Sequence, residues 1–155
     1  MRIVVLMSAL LAAFWIAPPR ALAAPPAELA PIKGKVVWVD FWASWCAPCR
    51  RSFPWLNSMQ RKYGGRGLQI IAVNVDKDRK LADQFLDETP ADFALRYDPA
   101  GKLAEHFKVQ AMPSSFLLDA SGKMIASHVG FRLAKTADYE RDIEDALAAV
   151  AKSPD

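Results

Sequence analysis

Only two cysteines stand in the 155 residues, Cys46 and Cys49, three positions apart. That excludes the disulfide framework of a stapled secreted domain, so the fold must stand on its hydrophobic core. Histidine is equally scarce. His106 and His128 are the only two, and neither keeps metal-ligand spacing with the cysteines, which argues against a zinc site. Arg50 follows the second cysteine where covalent haem attachment would need His. No charge of one sign dominates either. The formal net charge is +3, and without the first 23 residues, which hold Arg2 and Arg20, 18 basic residues face 17 acidic ones. No basic field remains to attract nucleic acid or an anionic membrane surface. Repeats and interior linkers are absent, and the length suits one domain.

What the chain does have begins with an apolar run from Ile3 to Ala17, broken only by Ser8. Arg2 before it, Pro18-Pro19 after it and the small residues Ala21 and Ala23 have the order of a secretory signal peptide over 1–23, cleaved after Ala23. An uncleaved anchor is the weaker reading. A helix over those 15 residues would span roughly 22 Å, short of a ~30 Å hydrocarbon core. No cysteine follows the run to carry a lipid. Export of a bacterial-looking chain implies the periplasm, an oxidising compartment in which a cysteine pair forms a disulfide.

Residues 24–35 are rich in Ala and Pro and read as an extended lead-in to a domain over 36–151, with a tail at 152–155. Val36 to Trp42 is a nearly continuous β-branched and aromatic run, the pattern of a strand buried on both faces, with one charge, Asp40, inside it. Phe53, Leu56, Met59 and Tyr63 recur at helical spacing over 47–63, where Pro54 predicts a kink and Gly64-Gly65 a stop. A second strand is expected at 68–75, an amphipathic helix at 78–87, a short strand at 93–97 and a short helix at 101–107. Two strands at 115–119 and 124–129 flank a Gly-containing turn, and a helix from about Thr136 to Ala151 closes the chain. The order β-α-β-α-β-α-β-β-α predicts an α/β domain, a central mixed sheet flanked by helices.

Trp45-Cys46-Ala47-Pro48-Cys49 falls where the first strand hands over to a helix. A thiol there faces unpaired backbone N–H groups and the positive end of the helix dipole, which favour the thiolate. Cys46 is therefore the expected nucleophile, and Pro48 costs little in the first turn. Cys49, one turn on and more buried, is placed to resolve a mixed disulfide, so the expected chemistry is thiol–disulfide exchange. A purely structural bridge between residues this close would add little stability. Asp40, a carboxylate in a buried strand, should carry a raised pKa.

VDFWASWCAPC at 39–49, NVD at 74–76, Met112-Pro113 before SSFLLD, and Val129-Gly130 resemble the thioredoxin superfamily, and more narrowly its TlpA/ResA-type exported disulfide reductases. The resemblance implies a thioredoxin fold, a redox-active Cys46–Cys49 disulfide and no other cofactor. It implies that Asp40 exchanges a proton with Cys49. Pro113 should be cis, with its backbone facing Cys46 and pairing with a substrate chain. Met112 would line the substrate groove, Trp45 would cover the disulfide and belong with Ala47 and Pro48 to the contact surface, and Gly130 would let a partner backbone approach. Phe41 and Trp42 are read as core. Three departures stand out: Ala72 replaces the lysine that thioredoxins keep near the aspartate, Ser52 replaces a glutamate common in ResA-type chains, and the N-terminal β-hairpin of the TlpA type is missing or much reduced.

The resemblance implies partners of two kinds: client proteins with cysteines, as in cytochrome c maturation or copper-centre assembly, and a membrane electron donor of the DsbD/CcdA type. A monomer is the default. One rival function is a DsbA-like oxidase or isomerase, disfavoured because no His stands between the cysteines. The other is a module presenting thiols or copper to one partner without turnover. Asp76-Lys77-Asp78 reads as a solvated strand-to-helix loop, Asp138 to Asp145 as an exposed helix face, and His106 and His128 as residues without a role.

Overall fold

The computed structural model describes Leu29 and residues 35–152. The expected signal peptide and most of the lead-in lie outside the described residues. Leu29, within that lead-in, is buried against the sheet. Among the described residues no helix is long and apolar enough to cross a membrane.

The elements run β1 (Val36–Trp42), α1 (Ala47–Tyr63), β2 (Leu68–Asn74), α2 (Arg79–Glu88), β3 (Ala94–Tyr97), α3 (Lys102–His106), β4 (Ser114–Leu118), β5 (Met124–Val129) and α4 (Thr136–Lys152). The strands form one mixed sheet in the order β3-β2-β1-β4-β5. β1 and β2, and β2 and β3, are parallel; β1 and β4, and β4 and β5, are antiparallel. All seven residues of β1 are buried, Asp40 included, as its nearly continuous β-branched and aromatic run predicts for the central strand. The last helix runs to Lys152, one residue beyond the Ala151 expected from sequence.

Alternation along β1 divides the interior in two. Val37, Val39 and Phe41 point to one side, where Leu29, Ile71, Val73, Phe116, Leu103 of α3 and Phe107 just after that helix pack. Trp38 and Trp42 point to the other, against Phe53, Leu56 and Met59 of α1, Phe85 of α2 and Ile143 and Leu147 of α4. Cys46 and Cys49 belong to this second cluster. Burying one such Leu or Phe side chain is worth roughly 1.5–3 kcal/mol, so the shared cluster anchors α1, and with it the cysteines, to the sheet.

Pro54 lies within α1, which is assigned as one helix from Ala47 to Tyr63. Its ring sits on the exposed side of the helix, and its carbonyl accepts the Ser58 hydroxyl at 3.0 Å. Asp78 caps α2, accepting the Lys80 N–H at 3.0 Å.

Candidate active site

The chain leaves β1 through a turn closed by the Cys46 N–H donating to the Ala43 carbonyl at 3.1 Å. Cys46 then becomes the N-cap of α1, with extended backbone (φ −86°, ψ 96°). Its Sγ occupies the place where a Ser or Asp oxygen usually caps a helix, and accepts the Cys49 N–H at 3.3 Å. A negative charge developing on that sulfur therefore meets a backbone donor and the positive end of a 17-residue helix. Pro48 falls in the first turn, where no N–H is missed. Cys46 and Cys49 are joined in a disulfide, with their Cα atoms 5.3 Å apart. Both are buried, Cys49 completely and Cys46 to within 2%.

The turn that presents Cys46 is pinned from a distance. Asp76, just past β2, accepts the Ser44 N–H at 2.8 Å, the Ser44 hydroxyl at 2.9 Å and the Asn74 amide at 2.7 Å. Its own N–H donates to Asn74 Oδ1 at 3.0 Å. The reading of Asp76-Lys77-Asp78 as a wholly solvated loop is thus corrected: Asp76 is only 5% exposed. Its oxygens face donors that bind it more firmly than water would, and Ser44, 32 residues earlier, supplies two of them.

Asp40 stands in β1 between Ala72 of β2 and Ser115 of β4. Alternation puts its side chain on the same side of the sheet as Trp38, Trp42 and the cysteines. It is 1% exposed. Burial pushes its carboxyl up to about 7, against the opposing pull of the Ser115 hydroxyl, which donates to Oδ1 at 2.6 Å. The Trp38 indole N–H pulls in the same direction as Ser115 but makes no hydrogen bond that meets distance and angle requirements. Oδ2 is buried and has no hydrogen-bond partner. Sequence reasoning missed Ser115. The signal that could have found it is the antiparallel register that sets it opposite Asp40.

The Met112-Pro113 peptide bond is cis. Pro113 is buried, and Met112 packs partly buried against both core clusters, one of which contains the cysteines. Proline has no N–H, and its carbonyl already accepts the Gly130 N–H at 2.8 Å. The free backbone groups are those of Met112, whose N–H and C=O have no hydrogen-bond partner among the described residues. Gly130 has φ of +76°, and the space where a Cβ would stand is open, so nothing there obstructs an approaching chain.

Trp45 is 70% exposed. As the residue before Cys46, it presents most of its ring to solvent at the site. Ala47 is exposed and Pro48 half-buried next to it. Ser52 is buried and its hydroxyl donates to the Cys49 carbonyl at 3.1 Å, inside the same helix. Ala72 confirms the other departure, since the residue across the strand from Asp40 carries no charge. His128 is half-buried, stacked on Trp38 with ring centroids 5.5 Å apart. Its Nε2 lies 3.1 Å from Asp142 Oδ2, close but not aligned as a hydrogen bond, and burial holds its pKa below the ordinary value.

The Redoxin family profile matches residues 24–147. The chain belongs to the Redoxin family. Within that family it is a TlpA/ResA-like member of the thioredoxin superfamily, with the thioredoxin fold. It is 33% identical over 103 residues to a thiol-disulfide oxidoreductase ResA of Bacillus cereus, covering 66% of this chain and 60% of the relative. The ResA of Bacillus subtilis is 30% identical over 98 residues, covering 63% of this chain and 55% of the relative. This Redoxin chain thus matches less than two thirds of the length of these relatives. A crystal structure from Chlorobium tepidum, assigned as a thiol:disulfide interchange protein DsbE, superposes with a TM-score of 0.73 at 48% identity, covering 75% of this chain and 82% of that one.

Proposed function

We propose that the protein is a thiol–disulfide oxidoreductase of the ResA/DsbE type, working as a reductase of client disulfides in the periplasm. The observation that carries this reading is Cys46 Sγ at the N-cap of α1, receiving the Cys49 N–H. The reduced protein begins the cycle with the Cys46 thiolate attacking one sulfur of a client disulfide. A Cys46–client mixed disulfide forms, and the first client sulfur leaves as a thiolate and takes up a proton. Cys49 then gives its proton to Asp40 and attacks Cys46 Sγ. The Cys46–Cys49 bond closes, and the second client sulfur leaves and is protonated. Two electrons pass from the dithiol to the client. A membrane dithiol donor of the DsbD/CcdA type returns them, and Asp40 then hands its proton back to the departing Cys49 sulfur. A carboxyl that titrates at about 7 can serve in both directions at neutral pH.

Clients would dock over Trp45, Ala47, Pro48 and Met112, an extended segment pairing with the unpartnered backbone of Met112 while Gly130 leaves room for it. Cysteines of apocytochrome c or of a copper-centre protein are the proposed clients, and no cofactor beyond the disulfide is invoked.

The test is the reduction potential of the Cys46–Cys49 pair, set by equilibration against defined thiol buffers. The reference points are about −270 mV for thioredoxin and about −120 mV for DsbA. A reductase requires a value near the first; a value near the second makes the protein an oxidant and overturns this reading. Cys49→Ala, which cannot resolve, should accumulate mixed disulfides through Cys46 with several clients. Capture of one partner regardless of Cys49 would instead mark a thiol-presenting module.

A further inference from the structure

Asp40 has two chemically equivalent oxygens, and the fold makes them different. Oδ1 accepts the Ser115 hydroxyl at 2.6 Å, inside a pair that is 1% and 6% exposed. Oδ2 is buried with no partner. On the β2 side the residue opposite Asp40 is Ala72, which has no polar side chain to hold the carboxyl. A proton on Oδ1 would confront the Ser115 O–H, whereas a proton on Oδ2 leaves that bond intact. It also relieves a buried acceptor that otherwise goes without a hydrogen bond.

We propose that Ser115 is a positioning residue for the proton-transfer step: by holding Oδ1, it makes Oδ2 of Asp40 the atom that exchanges a proton with Cys49. The inference rests on the reading of Asp40 as the acid/base of the exchange reaction. Burial sets the need for a proton near neutral pH, and the Ser115 bond moderates it, since a hydroxyl donating to a carboxylate favours the ionised form. The titratable groups facing this row are few. They are Cys46 and Cys49 from the start of α1, His128 of β5 opposite Ser115, and Asp142 and Tyr139 of α4 behind His128.

The pH dependence of oxidation of the reduced protein by a small disulfide tests this. The limb belonging to Asp40 is the one that Asp40→Asn abolishes. Ser115→Ala should move that limb upward by about one pH unit, because the carboxylate loses the hydroxyl that donates to Oδ1. Ser115→Thr, which keeps the hydroxyl, should return it, and Ser115→Val, isosteric with the threonine variant, should reproduce the alanine shift. In the Asp40→Asn background, Ser115→Ala should leave the profile where it is. Uniform slowing by Ser115→Ala and Ser115→Val, with the limb unmoved, means that Ser115 is only structural and overturns the inference. A limb that survives Asp40→Asn instead overturns the reading of Asp40 itself, whatever Ser115→Ala does.

Discussion

Asp40 and Asp76 are both buried carboxylates near the cysteine pair, and the fold treats them in opposite ways. Asp76 meets three donors, two from Ser44 and one from Asn74. Asp40 meets one, and its second oxygen meets none. A carboxylate whose oxygens are all engaged is a structural clamp, and here it fixes the turn that presents Cys46. A carboxylate left half-engaged in a dry strand has a use for a proton, and burial pushes Asp40 up to about 7. The difference is one of donors and not of burial, since both side chains are almost fully enclosed.

The largest expected effect comes from Asp40. Its carboxyl titrates at about 7 when folded and near 3.8 when unfolded, so the native state binds the extra proton between those pH values. Stability is therefore fully present below about pH 4 and falls as pH climbs to about 7, a loss of about 4 kcal/mol. Asp40→Asn removes this slope. Denaturant unfolding of the oxidised protein and of this variant should show their stability difference moving by about 4 kcal/mol in favour of the variant between pH 4 and pH 8. A pH-independent difference would erase the contrast between the two acids.

Asp76 should behave oppositely. Asp76→Ala leaves the Ser44 N–H, the Ser44 hydroxyl and the Asn74 amide without their acceptor, a cost of about 3 kcal/mol seen as a lower denaturation midpoint. Exchange should slow with it, because the Ser44-Trp45 turn is released. Asp76→Asn keeps an acceptor for two donors and lets its amide donate to Ser44 Oγ, so it should lose only about 1 kcal/mol. Equal losses from both variants would mean that the clamp does not work through these hydrogen bonds.

Local pattern carried most of the fold into view. The β-branched run of β1 and the three-and-four spacing of α1 are properties of neighbours in sequence, and both elements have the bounds their patterns suggest. Pro54 stands inside the helix, on its exposed side, between the buried Phe53 and Leu56. The site was legible where its chemistry is contiguous, as in Trp45 to Cys49. It was not legible where chemistry depends on register. Ser115 gains its bond to Asp40 from lying opposite it across an antiparallel pair 75 residues apart in sequence, and Asp76 gains two of its donors from Ser44. Neither relation leaves a trace in composition or periodicity. The bond between the Gly130 N–H and the Pro113 carbonyl likewise joins residues 17 apart and has no signature in local pattern.

The most direct measurement is the titration of the Asp40 side-chain carboxyl in the oxidised protein, followed by carbon NMR of the labelled group. A midpoint near 7 is the result expected of a half-engaged carboxyl in a dry strand. A midpoint near 4, the ordinary value, would contradict the account: Asp40 would be ionised throughout the working range and the proton of Cys49 would need another acceptor.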